Sequence, residues 1–295
     1  MTIRHKFAYS FYDFSAYKEF LNQGLGKAII YIFIVTIIFS TLANIKITSV
    51  FNDNISRFEY KFNKEAPDFE YKDGKLTMDY DGPIHYKYTG NSEMLSFFIN
   101  DLLINGNLII DTSGKTDISV LDSYMTGTYI NSDTISIKSD NNEITTLALK
   151  DYLKINTIDC SIITINKPFT IDCSIINKAL VSDSFSVFKN IFDFTIFIVK
   201  PIIDFLSNLC AAFLVLASLT IIISKNLNMS LSYKNACTIS LYAMTMPLLI
   251  ESLSTVSGLF IPDYNIVFYV IALLYCLLAL KNINKSNNKK INALL

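Results

Sequence analysis

Two cysteines in a repeated hexapeptide are the first residues of this chain that could do chemistry. Cys160 and Cys173 each occupy the fourth position of TIDCSI, which occurs twice. Asn166-Lys167 lies midway, so a hairpin turning there would place the thiols opposite each other in a non-hydrogen-bonded pair. An oxidising compartment would permit a disulfide, although Pro168 disfavours the tight turn and two reduced thiols are the favoured alternative. The two thiols and His85 lack the spacing of a ligand cluster, so no metal site is predicted.

Four charged residues before the second long apolar stretch form another candidate group. Lys189, Asp193, Lys200 and Asp204 are separated by four, seven and four residues, so on an α-helix they would fall within an arc of about 60°. This stripe could couple an outer domain to the membrane through a helical stalk, interrupted near Pro201. The alternative that we favour is an amphipathic helix packed passively against that domain or the lipid headgroups. Each Lys–Asp pair would then contribute only about 0.2–0.5 kcal/mol.

Glu251 is the single carboxylate in the run from Asn235 to Pro262. Ionisable groups inside a membrane are functional candidates. Glu251 nevertheless lies about 25 Å along a helix from Lys234, which favours a position near the outer interface, where its carboxylate can reach water. Pro247, one turn earlier, leaves a broken-helix role open.

The segment DTSGKT, Asp111 to Thr116, resembles two catalytic motifs only superficially. A phosphate-binding loop needs a glycine five positions before Gly114, where the chain has Ile109. An aspartic protease needs two carboxylates that share a site, and no second copy of the motif is present. We therefore interpret LIIDTSGKT, Leu108 to Thr116, as a buried strand running into a turn. The sequence predicts no enzyme, no catalytic residue and no cofactor, because no set of nucleophile, base and orienting group can be assembled.

Long stretches with almost no charge must position these groups. Hydrophobic residues make up 51% of the 295 residues and charged residues only 17%, which is too apolar for a soluble domain. A bilayer core about 30 Å thick requires roughly 17–25 apolar residues in a helix. Four stretches are near that length: Ala28–Ile45, Leu206–Ser224, Asn235–Ile250 and Tyr264–Leu280. The sequence therefore predicts an integral membrane protein.

Lysine and arginine residues indicate the orientation of these stretches. Excess positive charge near a span marks the cytoplasmic side, and an even number of spans places both termini on one side. We therefore predict a multi-pass protein of the cell membrane with both termini cytoplasmic. The basic residues are Arg4, Lys6, Lys18 and Lys27 before the first span, Lys225 and Lys234 between the second and third, and Lys281, Lys285, Lys289 and Lys290 after the fourth.

The predicted fold class is an α-helical integral membrane protein with four transmembrane helices and a small α+β extracytoplasmic domain between helices one and two. The expected parts are a cytoplasmic amphipathic segment (1–27), transmembrane helix 1 (28–48), the extracytoplasmic domain (49–184), an amphipathic stalk with transmembrane helix 2 (185–224), transmembrane helices 3 and 4 (225–281), and a basic cytoplasmic tail (282–295).

Alternating residues in the outer region predict short strands. Apolar side chains recur at every second position around Phe69, Leu76 and Ile84, with Asp73-Gly74 and Asp81-Gly82-Pro83 between them, which predicts a three-stranded meander. Further strands are expected at Leu108–Asp111, Thr134–Lys138 and Thr145–Leu149, and helices at Asn52–Asn63 and Glu93–Leu103.

The segment before the first span has an apolar helical face. Aromatic and apolar residues recur at spacings of four and three from Phe7 to Leu21. We expect this helix to lie on the inner leaflet, with packing against the other helices as the alternative. Gly24 and Gly26 would let the chain turn into the span.

The chain resembles a known bacterial family in four places. These are SFYDFSAYKEFLNQGLGKAIIYIF before the first span, APDFEYKDGKLTMDYDGPIHY, LIIDTSGKT, and the three C-terminal spans. They resemble the domain-of-unknown-function family numbered eleven eighty-nine, which is found mainly in Gram-positive bacteria. The resemblance implies a cell-membrane location and no catalytic residues. Some members are labelled maltodextrin-utilisation membrane protein, which implies a link to carbohydrate uptake.

Two functional classes follow from these observations. The favoured one is a non-enzymatic sensor or accessory subunit whose outer domain binds a ligand or a membrane-protein partner, such as a transporter or signalling complex. The alternative is a transport component with a polar path among the four helices. The spans carry few charges, which favours the first class. The lipid bilayer is an expected partner, and nucleic acid is not, because the outer region is not basic.

Overall fold

A computed structural model describes residues 2–87, 107–156 and 175–292, which divide between two compact units. The helical unit comprises Met1–Val50 and Ile191–Leu295, and the sheet unit comprises Phe51–Asn190. Two long helices each contribute residues to both units.

The helices and strands are numbered in chain order. The helices are α1 (Ile3–Tyr12), α2 (Tyr17–Gln23), α3 (Leu25–Glu65), α4 (Leu149–Asn156), α5 (Lys178–Asn226), α6 (Tyr233–Ala243), α7 (Thr245–Ser257) and α8 (Tyr264–Asn292). The strands are β1 (Phe69–Lys72), β2 (Lys75–Met78), β3 (Ile84–Lys87), β4 (Asn107–Ile110), β5 (Gly127–Ile130), β6 (Thr134–Lys138), β7 (Ile144–Ala148) and β8 (Ile175–Asn177).

Four helices among the described residues are long and apolar enough to cross a membrane. They are Leu25–Glu65, Lys178–Asn226, Tyr233–Ser257 and Tyr264–Ser286, and each contains one of the predicted apolar stretches. In the most apolar window of Tyr233–Ser257, 72% is buried, against 22% in Lys178–Asn226. The third helix is therefore central in the helical unit, while α5 presents an apolar surface of the kind that lipid covers.

The predicted stalk helix is confirmed, because α5 is helical throughout. Two π-helical segments, Thr195–Val199 and Ala211–Leu216, interrupt its α-helical hydrogen bonding. The first of them immediately precedes Lys200-Pro201, as expected for an interruption caused by a residue without an N–H group. A π segment departs from the 100° rotation assumed for the charged stripe, so the single face remains a prediction.

The third span is broken near its middle. Met244 separates α6 from α7 with a ψ of −11°. Pro247 cannot donate a hydrogen bond to the carbonyl of Ala243, the α-helical acceptor four residues earlier. The boundary between α6 and α7 therefore lies one turn before Pro247, and a broken-helix role stays a prediction.

The N-terminal segment forms two helices that pack into the helical unit. Tyr17 and Phe20 of α2 are buried, and Phe20 stacks on Tyr242 with ring centroids 4.1 Å apart. The hydroxyl of Tyr275 donates to the carbonyl oxygen of Phe11 at 3.1 Å. Packing against the other helices is therefore confirmed in place of a free amphipathic helix. Gly24 makes the predicted turn before α3, with a φ of 81°.

The described strands form two sheets, and the predicted meander is wrong. The order in the smaller sheet is β2-β1-β8, and in the larger one β3-β4-β5-β6-β7. Asp73 and Gly74 both have positive φ and close the β1–β2 hairpin as predicted. The third expected strand, β3, instead pairs with β4, and β8 takes the place beside β1. Alternation predicts a strand without its partner, and Pro83 has no N–H group for a tight return.

The larger sheet confirms the three further strands as β4, β6 and β7. Its β4–β5 pair is parallel, while the other neighbours are antiparallel. The crossover between β4 and β5 contains a 3₁₀ helix, Ile118–Ser123, whose Leu121 packs with Ile109 and Tyr129 in the core of the sheet. Asn52–Asn63 is helical within α3, as predicted. The predicted helix Glu93–Leu103 and the cysteines Cys160 and Cys173 lie in segments outside the described residues.

Candidate functional site

A row of polar residues runs along the first apolar helix. Thr36, Ser40, Asn44 and Thr48 recur at every fourth position of α3, and all four are buried. Residues four apart lie on one face of a helix. Burial of such groups between apolar helices requires hydrogen-bond partners, since no water is available there.

Residues of α5 at the same spacing supply these partners. Asn208 Nδ2 donates to Thr36 Oγ1 at 3.2 Å, and Ser40 Oγ donates to Asp204 Oδ2 at 2.6 Å. The same carboxylate oxygen accepts from Lys200 Nζ at 2.6 Å. We call this contact the polar seam: Thr36, Ser40, Asn44 and Thr48 of α3, with Ile196, Lys200, Asp204 and Asn208 of α5. It joins the apolar parts of these two helices.

The Asn44 amide replaces a backbone donor that α5 lacks. The N–H group of Lys200 donates to the carbonyl oxygen of Thr195, five residues earlier, as in a π-helix. In that register the carbonyl of Ile196 would accept from residue 201, which is proline and has no N–H group. Asn44 Nδ2 donates to this carbonyl oxygen at 2.6 Å. Satisfaction of a freed carbonyl by a neighbouring helix is how proline is tolerated in membrane helices.

Two polar atoms of the seam are buried and have no hydrogen-bond partner in the described part of the chain: Asn44 Oδ1 and Thr48 Oγ1. The orientation of the Asn44 amide follows from its contact with the Ile196 carbonyl oxygen. Only Nδ2 can donate to that oxygen, so Oδ1 must point away from it. Its Oδ1 is therefore an acceptor without a donor. Buried groups of this kind occur where an ion, water or proton binds.

Glu251 of α7 lies near this seam. Its side chain is exposed, and its carboxylate interacts electrostatically with Lys200 and Asp204. The neighbouring Ser252 is buried and donates through Oγ to the carbonyl oxygen of Phe39 at 3.1 Å. The structure thus brings together three of the predicted site residues, one from the third span and two from the stripe.

The other end of the predicted stripe makes its contacts within the sheet unit. Lys189 Nζ lies 2.8 Å from Glu59 Oε2 of α3, and both side chains are mostly buried. Asp193 lies in the same α-helical segment of α5, Lys178–Phe194. The predicted i, i+4 pair of Lys200 with Asp204 is present, whereas Lys189 pairs with Glu59 of another helix.

In the sheet unit, Asp111 organises the turn after β4. Its Oδ1 accepts from the N–H and Oγ of Ser113 at 2.8 and 2.6 Å, and its Oδ2 accepts from the N–H and Oγ1 of Thr116, both at 2.7 Å. Burial alone would raise the pKa of Asp111, but these four hydrogen bonds outweigh burial and hold the pKa well below its ordinary value. The interpretation of LIIDTSGKT as a strand and turn is therefore confirmed, since β4 ends at Ile110 and the turn follows it.

A cavity of about 460 Å³ adjoins this turn. Its wall is rich in hydroxyl and amide groups and includes the ring of Tyr129, whose hydroxyl donates to the carbonyl oxygen of Thr116 at 2.7 Å. The polar lining residues are Asp111, Thr112, Ser113, Thr116, Asp117, Asn131, Ser132, Thr134, Ser136 and Thr146. Within the described ranges, no group of three or more His, Cys, Asp and Glu side chains could hold a metal ion.

Sequence reasoning identified the α5 half of the seam and missed the α3 half. The signal was available, because Thr36, Ser40, Asn44 and Thr48 are spaced four residues apart in a run that is mostly apolar. Each residue alone is ordinary in a membrane helix, and the repeat of four is what indicates a shared face.

The fold and the polar seam define a multi-helix protein with four helices suited to a membrane. The chain belongs to the family described as protein of unknown function, DUF1189, whose sequence profile matches residues 5–280. The family resemblance drawn from the sequence is thereby confirmed. No curated protein and no solved structure matches the chain.

Proposed function

We propose that the protein is a non-enzymatic sensor or accessory subunit of the cell membrane. In this proposal residues 49–184 form an extracytoplasmic domain that binds a ligand or a membrane-protein partner, and α5 transmits the event. The observation that supports it is the course of α5, which supplies Lys189 to an ion pair in the sheet unit and Lys200 and Asp204 to the seam in the helical unit. Its π segment between these contacts is a type of irregularity often found at functional sites.

The Asp111 cavity supports binding more than catalysis. The Asp111 carboxylate is occupied by four hydrogen bonds from its own turn, so it is poorly placed to accept a proton from a substrate. Hydroxyl and amide groups around an aromatic ring suit a neutral polar ligand. The proposed link to carbohydrate uptake rests on the family label, and maltodextrins are therefore the first ligands to test.

The proposed topology is tested by labelling single cysteines in intact cells. Asn141, in the turn between β6 and β7, and Asn287, near the end of α8, are replaced by cysteine in a chain without its native cysteines. A membrane-impermeant maleimide should label position 141 without permeabilisation and position 287 only after it. The opposite pattern would show that the sheet unit is cytoplasmic.

Transmission is tested by perturbing one unit and reading the other. Lys189→Met removes the ion pair with Glu59, and Thr48→Cys provides a thiol in the seam. We expect Lys189→Met to change the labelling rate of this thiol several-fold, and Lys150→Met, a matched change at an exposed lysine of the sheet unit, to leave it unchanged. Equal rates in wild type and Lys189→Met would exclude transmission through this contact.

Ligand and partner are tested with the same probe. Maltodextrins added to the labelling assay should alter the rate at position 48 if the cavity binds them. Pull-down from native membranes should recover a transporter or signalling protein with the wild-type chain. Failure of both experiments would remove the support for a sensor or accessory subunit.

A transport component is the second candidate, and it rests on two uncharged atoms of the seam. Asn44 Oδ1 and Thr48 Oγ1 are buried polar atoms without partners among the described residues, inside a helix suited to a membrane. Polar groups at a helix interruption are typical of transport sites. Proteoliposomes should then show a proton or sodium flux that Asn44→Leu abolishes and Thr36→Val, at the paired end of the seam, retains. A sensor would show no flux in either case.

A further inference from the structure

A buried lysine of α1 has no ionic partner among the residues that the structure describes. Lys6 is only 5% exposed, and it lies one turn before Ser10, which is also buried. Over the described residues its ammonium forms no hydrogen bond or salt bridge, and its recorded contact is with the ring of Tyr242, 5.8 Å from the ring centroid. An ammonium group removed from water requires a counterion or several acceptors. A cation–π contact alone meets that requirement only in part.

A second donor in the same place also lacks a partner. Tyr242 is completely buried, and its hydroxyl makes no hydrogen bond with the described residues. The adjacent Tyr31 provides a contrast, since its hydroxyl is bonded to Ser10 at 3.1 Å and to Thr245 at 2.9 Å. The two rings pack with centroids 4.6 Å apart. The hydroxyl of Tyr31 is hydrogen-bonded, whereas the hydroxyl of Tyr242 has no acceptor among the described residues.

The chemistry of these two groups defines what they could bind. An ammonium and a phenol are both hydrogen-bond donors, so they would be satisfied together by an oxygen acceptor that carries negative charge. The charged residues that act on Lys6 are Lys27 and Glu19, one positive and one negative. With Lys6 their formal charge is +1, which a single anion would neutralise.

We propose that Lys6 and Tyr242 form a binding site for a phosphate group, supplied by an anionic lipid headgroup or by free phosphate. Phosphate offers several acceptor oxygens to donors on different helices. Basic pockets between membrane helices are known to bind anionic headgroups. The site joins α1 to α6, so occupation would hold the N-terminal helix in its packed position.

The test uses the full-length protein in nanodiscs and a thiol-reactive fluorophore. In a chain whose Cys160 and Cys173 are replaced by serine, the buried Cys237 and Cys276 become reactive on unfolding, whereas the exposed Cys210 sets the baseline. We expect phosphatidylglycerol in place of phosphatidylcholine to raise the unfolding temperature of wild type by about 5 °C, as for a ligand well above its Kd. Lys6→Met and Tyr242→Phe should each abolish this rise. Lys234→Met, which removes an exposed lysine from the start of α6, should retain it.

Two further arms decide the source and the mechanism. Inorganic phosphate added to phosphatidylcholine discs raises the unfolding temperature if the free anion suffices, and leaves it unchanged if a headgroup is required. In phosphatidylcholine without phosphate, Lys6→Met should be as stable as wild type or more stable, because it removes an unpaired charge. If Lys6→Met does not fold, Tyr242→Phe decides alone. A rise that survives Tyr242→Phe, or no rise in wild type with either source, overturns the proposal.

Discussion

The contact between Asn44 and Ile196 makes a prediction whose sign depends on the residue at position 201. Asn44→Leu removes the donor that satisfies the Ile196 carbonyl, which Pro201 cannot replace. Pro201→Ala supplies a backbone N–H group in the same turn of α5. In that background the Ile196 carbonyl no longer depends on the amide. The same leucine substitution should therefore be harmful when Pro201 is present and harmless in the Pro201→Ala background.

The magnitude follows from the cost of an orphaned carbonyl. Leaving a buried acceptor without a donor costs about 1–3 kcal/mol, while hydrogen bonds between membrane helices average about 0.6 kcal/mol and reach about 1.7. We expect a coupling energy of about 1–2 kcal/mol between positions 44 and 201. Leucine also removes the unpartnered Asn44 Oδ1, so in the Pro201→Ala background it should be neutral or stabilising.

Thermal unfolding of the four proteins of this cycle, followed with a thiol-reactive dye, measures the coupling. A change of 1 kcal/mol corresponds to about 2–4 °C in a protein of roughly this size. Asn208→Leu is the control, because its amide bonds the Thr36 hydroxyl and no backbone carbonyl; its effect should be the same in both backgrounds. Equal destabilisation by Asn44→Leu with and without the Pro201→Ala substitution would refute the role assigned to the amide.

Three further predictions concern the sheet unit. Asp111→Asn should lower the free energy of unfolding by about 1–3 kcal/mol. Because the folded pKa of Asp111 is lowered, the carboxylate stabilises the fold above its unfolded pKa of about 3.9, and this stabilisation is lost as pH falls towards the folded pKa. The free energy of unfolding should therefore decrease less on acidification in the variant than in wild type. Lys189→Met should cost only about 1 kcal/mol or less in equilibrium unfolding, because the pair with Glu59 is partly solvated, and added salt should reduce the difference. Gly74→Ala should destabilise the β1–β2 hairpin by about 1 kcal/mol, since its φ is 86°, and faster amide exchange there should report it, while Gly26→Ala, which meets no neighbouring atom, should be neutral.

The helices were predictable from the sequence because length and apolarity suffice for a membrane span. Their extensions were not fully predictable. The first apolar stretch ends at Ile45, yet α3 continues to Glu65, because Phe51, Ile55 and Phe58 continue an apolar face at helical spacing. The meander failed for a different reason. Strand alternation is local, but the choice of β8 as the partner of β1 depends on residues about 100 positions away, and no local pattern encodes that pairing.

The seam was only half predictable for a related reason. Lys200 and Asp204 are conspicuous as charges beside an apolar stretch, whereas Ser40 and Asn44 are common residues in membrane helices. The π segment depends on both helices, because Pro201 leaves a carbonyl without its backbone donor and Asn44 supplies one. The residue pattern of α5 can predict that the helix is interrupted near Pro201. Only the packing of α3 against α5 determines which carbonyl group loses its backbone donor and which side chain donates to it instead.

The charges of the seam favour a sensor or accessory subunit over ion transport. A path for ions needs a polar group whose charge is not already compensated. Lys200 and Asp204 compensate each other at 2.6 Å, and Ser40 occupies the same carboxylate oxygen. Within the seam itself, what remains is neutral, Asn44 Oδ1 and Thr48 Oγ1, beside the interruption of α5. The Glu251 carboxylate lies outside the seam, at an exposed position of α7. The two neutral groups lie next to a helix whose hydrogen bonding changes from α to π and back along its length. A sensor would need such a helix to change its hydrogen-bond partners, and neutral partners would make that change at small electrostatic cost. A sensor or accessory subunit should therefore show no proton or sodium flux in proteoliposomes, while Lys189→Met should change the labelling rate of a cysteine at position 48.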